Sequence, residues 1–246
     1  MEFRLLSLYP DQMNIYADRG NIIFLRKRCQ WRGIEFALTG CGIGEEFGPT
    51  DHDMIYMGGG QDRDQRVVAG DLIETKRASI AEAHAQDAAI LAVCGGHQLL
   101  GSSYELDDEQ IEGLGLVDLR TVREPGERLI GPVAIETELD GTSRVLAGFE
   151  NHGGRTYLGP GESPLGRVLS GHGNNGKDGF EGVRSGNLIG TYLHGPLLPK
   201  NAWLADHLIL QCLRRRYGDE VELEPLDDGL EEAAHQTALS AAMNGA

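Results

Sequence analysis

The sequence is short of positive charge. Among 246 residues, 22 are Lys or Arg against 38 Asp or Glu, a formal net charge of −16. Nucleic acids and anionic membrane surfaces bind through basic faces, so neither is expected as a partner. A single anionic ligand in a local pocket is not excluded. Long apolar runs are also missing: no stretch approaches the roughly 20 residues that cross a bilayer. The opening MEFRLLSLYPDQ starts with an acid and is too short for a secretory signal, so no membrane insertion is expected. Cysteine is sparse. Cys29, Cys41, Cys94 and Cys212 form no C-x-x-C pair, and a chain of this length needs no disulfide staples. A reducing, cytoplasmic setting is expected, with at most one cysteine that matters.

Two kinds of site are absent as well. No His, Cys, Asp or Glu set has the spacing of a metal centre, and no Gly-x-Ser-x-Gly elbow occurs. The run GHGNNGKD, from Gly171, imitates a phosphate loop, but Asp178 stands where that loop needs Ser or Thr. Neither a strand before it nor a helix after it supports the match. It reads as a hairpin loop with Asn174, Asn175 and Gly176 at the tip.

The chain does contain a strong α/β rhythm. FRLLSL (3–8) reads as a buried strand, Asp18 to Gly33 as a helix, and IEFALTG (34–40) as a second strand. DMIYM (53–57) is a third strand, running into the glycines of GGGQDRDQ. A helix over 70–86 and a fourth strand, AAILAV (88–93), follow. This alternation predicts a doubly wound, mostly parallel sheet with helices on both faces. After Glu112, short segments such as LGLVDLRTV, GPVAIETEL and LIGTYLHG are cut by Gly, Pro and Asn, which predicts an added antiparallel edge. A closing helix spans 201–217, with Arg214, Arg215 and Arg216 in a last turn that favours positive charge. The tail from Asp219 carries eight acids and no Lys or Arg. It reads either as a solvated end or as a short docking helix. The organisation is one domain over 1–218 and an acidic tail over 219–246.

The chemistry concentrates at AILAVCGGHQLLG. A buried strand stops at Val93, Cys94 follows, two glycines turn the chain, and a helix begins. That is a strand–nucleophile–helix elbow. The helix N-terminus favours thiolate over thiol, and the Gly95 amide is aimed where an oxyanion forms. A free cysteine is more often a small buried hydrophobe; Gly95 and Gly96 behind a β-run argue against that here. A second strand, in GNLIGTYLHGP, delivers His194 to its end, where it can reach a neighbouring strand's edge as the partner of a thiol. His97 is the nearest rival, but it lies on the elbow helix and points away from Cys94. In YMGGGQDRDQ (56–65), Gly59 and Gly60 let backbone amides approach a ligand, as a second half of an oxyanion hole.

AVCGGHQLLG with TYLHGP resembles the class I glutamine amidotransferases, in the cobyric acid synthase-like branch. LYPDQMNIYADRGNI, MGGGQDRDQ, GFENHGGRTYLG and GNNGKDGFEG are similar to the glutaminase subunits of lipid II isoglutaminyl synthases. The resemblance runs to about Arg216. It implies Cys94 as nucleophile and His194 as its base, with Gly95 and the Gly59–Gly60 turn donating to the oxyanion. Gln98 would touch the bound glutamine. Arg128 would take its α-carboxylate, with Arg120 and Arg123 as nearby competitors, and Asn151, His152 and Gly153 would form the substrate-side loop. Most class I members carry a Glu two residues after the histidine; here Pro196 occupies that place, which leaves a Cys–His dyad as the expectation. The implied function is a glutaminase subunit, an enzyme that hydrolyses L-glutamine and hands ammonia to a Mur ligase-like synthetase subunit in a heterodimer. That partner would amidate the D-glutamate α-carboxyl of the lipid II stem peptide in peptidoglycan synthesis. No cofactor is expected in this chain; ATP and Mg²⁺ would belong to the partner. Amidation of a corrinoid or another acceptor, and a catalytically inactive regulatory subunit, are the alternatives.

Overall fold

The computed structural model describes residues 1–15, 18–106 and 109–244. Tyr16 and Ala17 of the opening motif, and the last two residues of the acidic tail, lie outside the described residues. The first half runs β1 (Glu2–Leu8), α1 (Arg19–Trp31), β2 (Glu35–Cys41), β3 (Met54–Met57), α2 (Asp62–Asp71), a π-helical turn (Leu72–Lys76), α3 (Arg77–Ala85), β4 (Ala89–Val93) and α4 (Gly95–Leu100). Then come β5 (Ser103–Leu106), β6 (Glu109–Glu112), β7 (Leu119–Arg123), β8 (Leu129–Leu139), β9 (Thr142–His152), β10 (Gly154–Leu158) and β11 (Gly166–Ser170). The chain closes with β12 (Phe180–Glu181), β13 (Val183–Ser185), β14 (Leu188–Thr191), α5 (Leu197–Lys200), α6 (Ala202–Tyr217) and α7 (Gly229–Asn244).

The central sheet has the order β13-β14-β4-β3-β1-β2, parallel except where β13 joins antiparallel to β14. β3 and β4 are buried along their whole length, as continuous apolar runs between two helical layers must be. One face packs Leu5, Tyr56 and Leu91 against α1 and α6; the other packs Leu6, Ile55 and Ile90 against α2, α3 and α4. Burial on this scale, at about 25 cal/mol per Å² of apolar surface, is what offsets the ordering of the chain. Two four-stranded sheets, β10-β7-β5-β6 and β12-β11-β8-β9, take the strands between α4 and β13.

The structure corrects three expectations. The helix expected over 70–86 begins at Asp62, with Asp62 and Asp64 in its first turn, and passes through the π turn before α3. Its first half lacks an apolar stripe because α4 and β6 cover only part of it. In the π turn Lys76 is fully buried and pairs with Asp71, which also accepts from the Tyr9 hydroxyl. The antiparallel edge expected after Glu112 is present as β13 on β14, but most of the strands there build two separate sheets of their own. Asn174 and Asn175 do not form an exposed tip. Both are buried, and their amides satisfy Gly182 and the Thr156 carbonyl.

Two features set up the site. The β8–β9 hairpin turns through Asp140 and Gly141, both at positive φ (49° and 71°), as the tight turns that match strand twist require. Its register pairs Leu129 with His152, so its open end brings Arg128 beside Asn151 and His152. In the tail, α7 docks rather than trailing into solvent: the Ser170 hydroxyl donates to the Ala242 carbonyl, and His235 meets the Lys200 carbonyl. Asp228 pairs with Arg28, a fully buried guanidinium that Asp206 of α6 also holds.

Candidate functional site

β4 and β14 are parallel neighbours, with Val93 opposite Thr191. Their C-terminal ends therefore deliver Cys94 and His194 side by side. The Cys94 amide donates to the Thr191 carbonyl (2.7 Å), which locks the two ends together. Cys94 adopts φ 51°, ψ −103°. A non-glycine residue pays of order 1–3 kcal/mol for such a backbone. The strain has a geometric use: it turns the thiol out of the sheet and over the start of α4.

Gly96 shows how closely this elbow is packed. Its amide donates to the Gly58 carbonyl, and a Cβ there would stand 2.6 Å from the Met57 oxygen and 3.0 Å from that of Gly58. Gly96→Ala is expected to cost about 1–3 kcal/mol and lower Tm by about 3–10 °C in a thermal melt. A melt unchanged from wild type would show that the turn yields without cost.

A third group joins this pair, and sequence reasoning missed it: Asp18. It is fully buried, and both its carboxylate oxygens lie 3.2 Å from His194 Nδ1. Asp18 is the N-cap of α1, yet its side chain caps nothing; Oδ2 instead accepts the Gly59 amide at 3.0 Å. Pro196 packs on Gly20, where a Cβ would stand 2.5 Å from its Cγ, so the first turn of α1 lies against the histidine loop and supplies the acid.

Electrostatics agree with this geometry. Burial by itself would lower the His194 pKa. The Cys94 sulfur, within hydrogen-bonding reach, and the Asp18 carboxylate outweigh it and push the pKa up to about 10. The imidazolium is thus favoured. His97 is fully buried, edge-on to Tyr192 at 5.0 Å, and burial pushes its pKa down to about 3. It is a neutral packing residue.

A cleft of about 330 Å³ opens at Cys94. Of the residues expected to matter, Gly60, Cys94, Gln98, Arg128, Asn151, His152 and Gly153 line it. Gly59 and Gly60 were expected to share one role. The Gly59 amide is engaged by Asp18, whereas the Gly60 nitrogen faces Gly95, 2.9 Å from where a Cβ would stand. The Gln98 side-chain oxygen accepts from Gln65 (2.7 Å), and its amide donates to the Tyr192 hydroxyl (3.1 Å). Gln98 therefore forms a fixed wall. His152 stacks on Tyr192 with centroids 3.6 Å apart, and its Nδ1 donates to the Gly154 carbonyl at 2.8 Å. Arg128 donates through Nε and Nη2 to the side chain and carbonyl of Asn151. Arg120, one competitor for the carboxylate, lies over Tyr157 instead; Arg123, the other, reaches the cleft's rim near Gly153. A larger groove of about 480 Å³ lies between α6 and the tail, around Trp203 and His207, and is lined by no cysteine. Among the described residues, no three or more His, Cys, Asp or Glu could hold a metal, and no helix is long and apolar enough to cross a membrane.

Comparison with known proteins follows the same lines. Residues 4–202 match the CobB/CobQ-like glutamine amidotransferase domain. The chain is 38% identical, over 98% of its length and 96% of theirs, to the lipid II isoglutaminyl synthase (glutamine-hydrolyzing) subunit GatD of Staphylococcus aureus. To its namesake in Streptococcus pneumoniae it is 37% identical over 92% of this chain and 86% of the relative. A cobyric acid synthase of Pelotomaculum thermopropionicum is 38% identical over 57% of this chain but only 29% of its own length. Among solved structures, PurLQS from Thermotoga maritima shares the fold at TM-score 0.58 and 18% identity, covering 100% of this chain and 99% of the other. With the elbow, the histidine and the parallel sheet already in place, these matches make the chain a member of the CobB/CobQ-like glutamine amidotransferase family.

Proposed function

We propose that this chain is the glutaminase subunit of a lipid II isoglutaminyl synthase. The observation that carries the chemistry is the buried line Cys94–His194–Asp18 beside a cleft that Cys94 and Arg128 both line. The Cys94 thiolate attacks the side-chain carboxamide of L-glutamine. The oxyanion forms towards the Gly95 and Gly60 amides. His194, held by Asp18, gives its proton to the departing ammonia, leaving a γ-glutamyl thioester. A water that yields its proton to His194 then attacks the thioester, releasing glutamate and restoring the thiol. Arg128, its fork set by Asn151, takes the α-carboxylate of the substrate.

Ammonia is a means, so a second protein must use it. Similarity over nearly the full length to two subunits of lipid II isoglutaminyl synthases supports a partner subunit that acts on lipid II; the partner we propose is Mur ligase-like and activates the D-glutamate α-carboxyl of the stem peptide in the cytoplasm. The ATP and Mg²⁺ for that activation belong to the partner. Co-expression of the two chains is expected to give a heterodimer by size exclusion that turns glutamine, ATP and lipid II into glutamate and amidated lipid II. A complex that uses a corrinoid and ignores lipid II would overturn the acceptor. Failure of a diazo-ketone norleucine to label Cys94 would favour an inactive regulatory subunit.

A further inference from the structure

A substrate amino acid brings two charges to the cleft besides the carboxamide that meets Cys94. The α-carboxylate has its guanidinium in Arg128. The α-ammonium needs an anion, and Asp62 is the single carboxylate among the described residues that line the cleft. It stands at the start of α2, directly after the glycine turn and Gln61. Its Oδ1 accepts the Tyr104 hydroxyl at 3.1 Å, and its Oδ2 lies 3.5 Å from Arg123 Nη1. These contacts leave acceptor capacity, since a carboxylate has about four lone-pair positions and 3.5 Å is a loose pairing. The side chain is 41% exposed, open to the cleft rather than sealed in an ion pair.

The cations are arranged to match. Arg123 Nη1 and Arg128 Nη1 lie 2.7 Å and 3.3 Å from the point where a Cβ on Gly153 would stand. Two guanidiniums therefore converge over a glycine that leaves them room, and Asp62 sits beside one of them. A carboxylate next to a paired cationic fork is the charge pattern complementary to the head of an α-amino acid.

We propose that Asp62 binds the α-ammonium of glutamine and, with Arg123 standing beside Arg128, restricts the cleft to the free amino acid. This assignment rests on the glutaminase reading above and specifies its substrate. A glutamine whose amine is acylated or built into a peptide has lost the positive charge, and binding it would desolvate Asp62 without supplying the cation that its remaining acceptor positions call for.

The test separates recognition from turnover. In the Cys94→Ala protein, calorimetry with L-glutamine and with glutaramate, which keeps the carboxamide and carboxylate but lacks the amine, compares the two heads directly. L-glutamine is expected to bind at least about 10-fold more tightly than glutaramate, the scale of one charge-assisted contact. Adding Asp62→Asn removes that preference, weakening L-glutamine about 10-fold and leaving glutaramate within about 2-fold. Tyr104→Phe, which keeps the carboxylate, retains it. The proposal is overturned if Asp62→Asn weakens both ligands equally or neither, or if the Cys94→Ala protein shows no preference. A wild-type complex that binds glutamine with this preference but releases no ammonia would instead sink the glutaminase reading and leave Asp62 in its role.

Discussion

Cys94→Ala will abolish glutamine hydrolysis, lowering kcat by a factor of about 10⁴ or more, while the fold survives. The size follows from covalent catalysis: without the sulfur there is no thioester, and neither the Gly60 and Gly95 amides nor His194 can replace a nucleophile. The survival follows from packing. Alanine keeps the Cβ, and the strained φ of 51° at this position is set by the elbow around it, not by the thiol. The substitution also leaves a signature in stability. The folded His194 pKa, about 10, lies above the ordinary histidine value of 6.5 and owes part of that rise to Cys94. A raised folded pKa contributes stability that is fully present below pH 6.5 and is lost as pH climbs through about 10. Because the thiol of the unfolded chain ionises only near pH 8.5, wild type should lose more stability than Cys94→Ala between about pH 8.5 and 10. Ammonia release followed with glutamate dehydrogenase, and denaturant melts at several pH values, check both halves. Normal ammonia release by the alanine protein would end the assignment of Cys94 as nucleophile.

Much of this site was legible in the sequence because it sits on regular elements. Cys94 and His194 each end an apolar run, so the strand pattern locates both at the same edge of a parallel sheet. The substrate-side loop was legible only through resemblance, because the β8–β9 hairpin that brings Arg128 to Asn151 is a matter of register. Asp18 was not legible at all. It lies 176 residues from its partner histidine, and an aspartate before a helix has a sufficient local explanation as its cap. Only the fold reveals that the cap hydrogen bond is missing. The sequence did hold a hint: Pro196 in place of an acid meant that the histidine either lacked a third partner or took one from another segment. The π turn was hidden for a similar reason, since its driving contact, Lys76 with Asp71 beneath Tyr9, depends on β1 arriving from the far end of the fold.

Asp18→Asn will lower kcat/KM by about 10²–10⁴-fold and move the alkaline limb of its pH profile to lower pH. The wild-type carboxylate serves two donors at once, His194 Nδ1 and the Gly59 amide. Asparagine cannot do the same. With its oxygen towards Nδ1, its NH₂ opposes the Gly59 N–H; flipped, it presents a donor to Nδ1, and the imidazole takes the tautomer with its proton on Nε2 and its lone pair turned away from the sulfur. In either orientation the base or the glycine turn loses its anchor. The limb shift has its own cause. Asp18 is one of the two groups holding the His194 pKa near 10 against the lowering effect of burial. Removing its charge brings that pKa down towards 6.5, so the proton needed by the leaving ammonia is lost at lower pH. A residue that merely braced the loop would reduce the rate at every pH and leave the limb in place. Full-rate turnover by Asp18→Asn, or a slow variant with an unmoved limb, would return the site to a cysteine–histidine dyad.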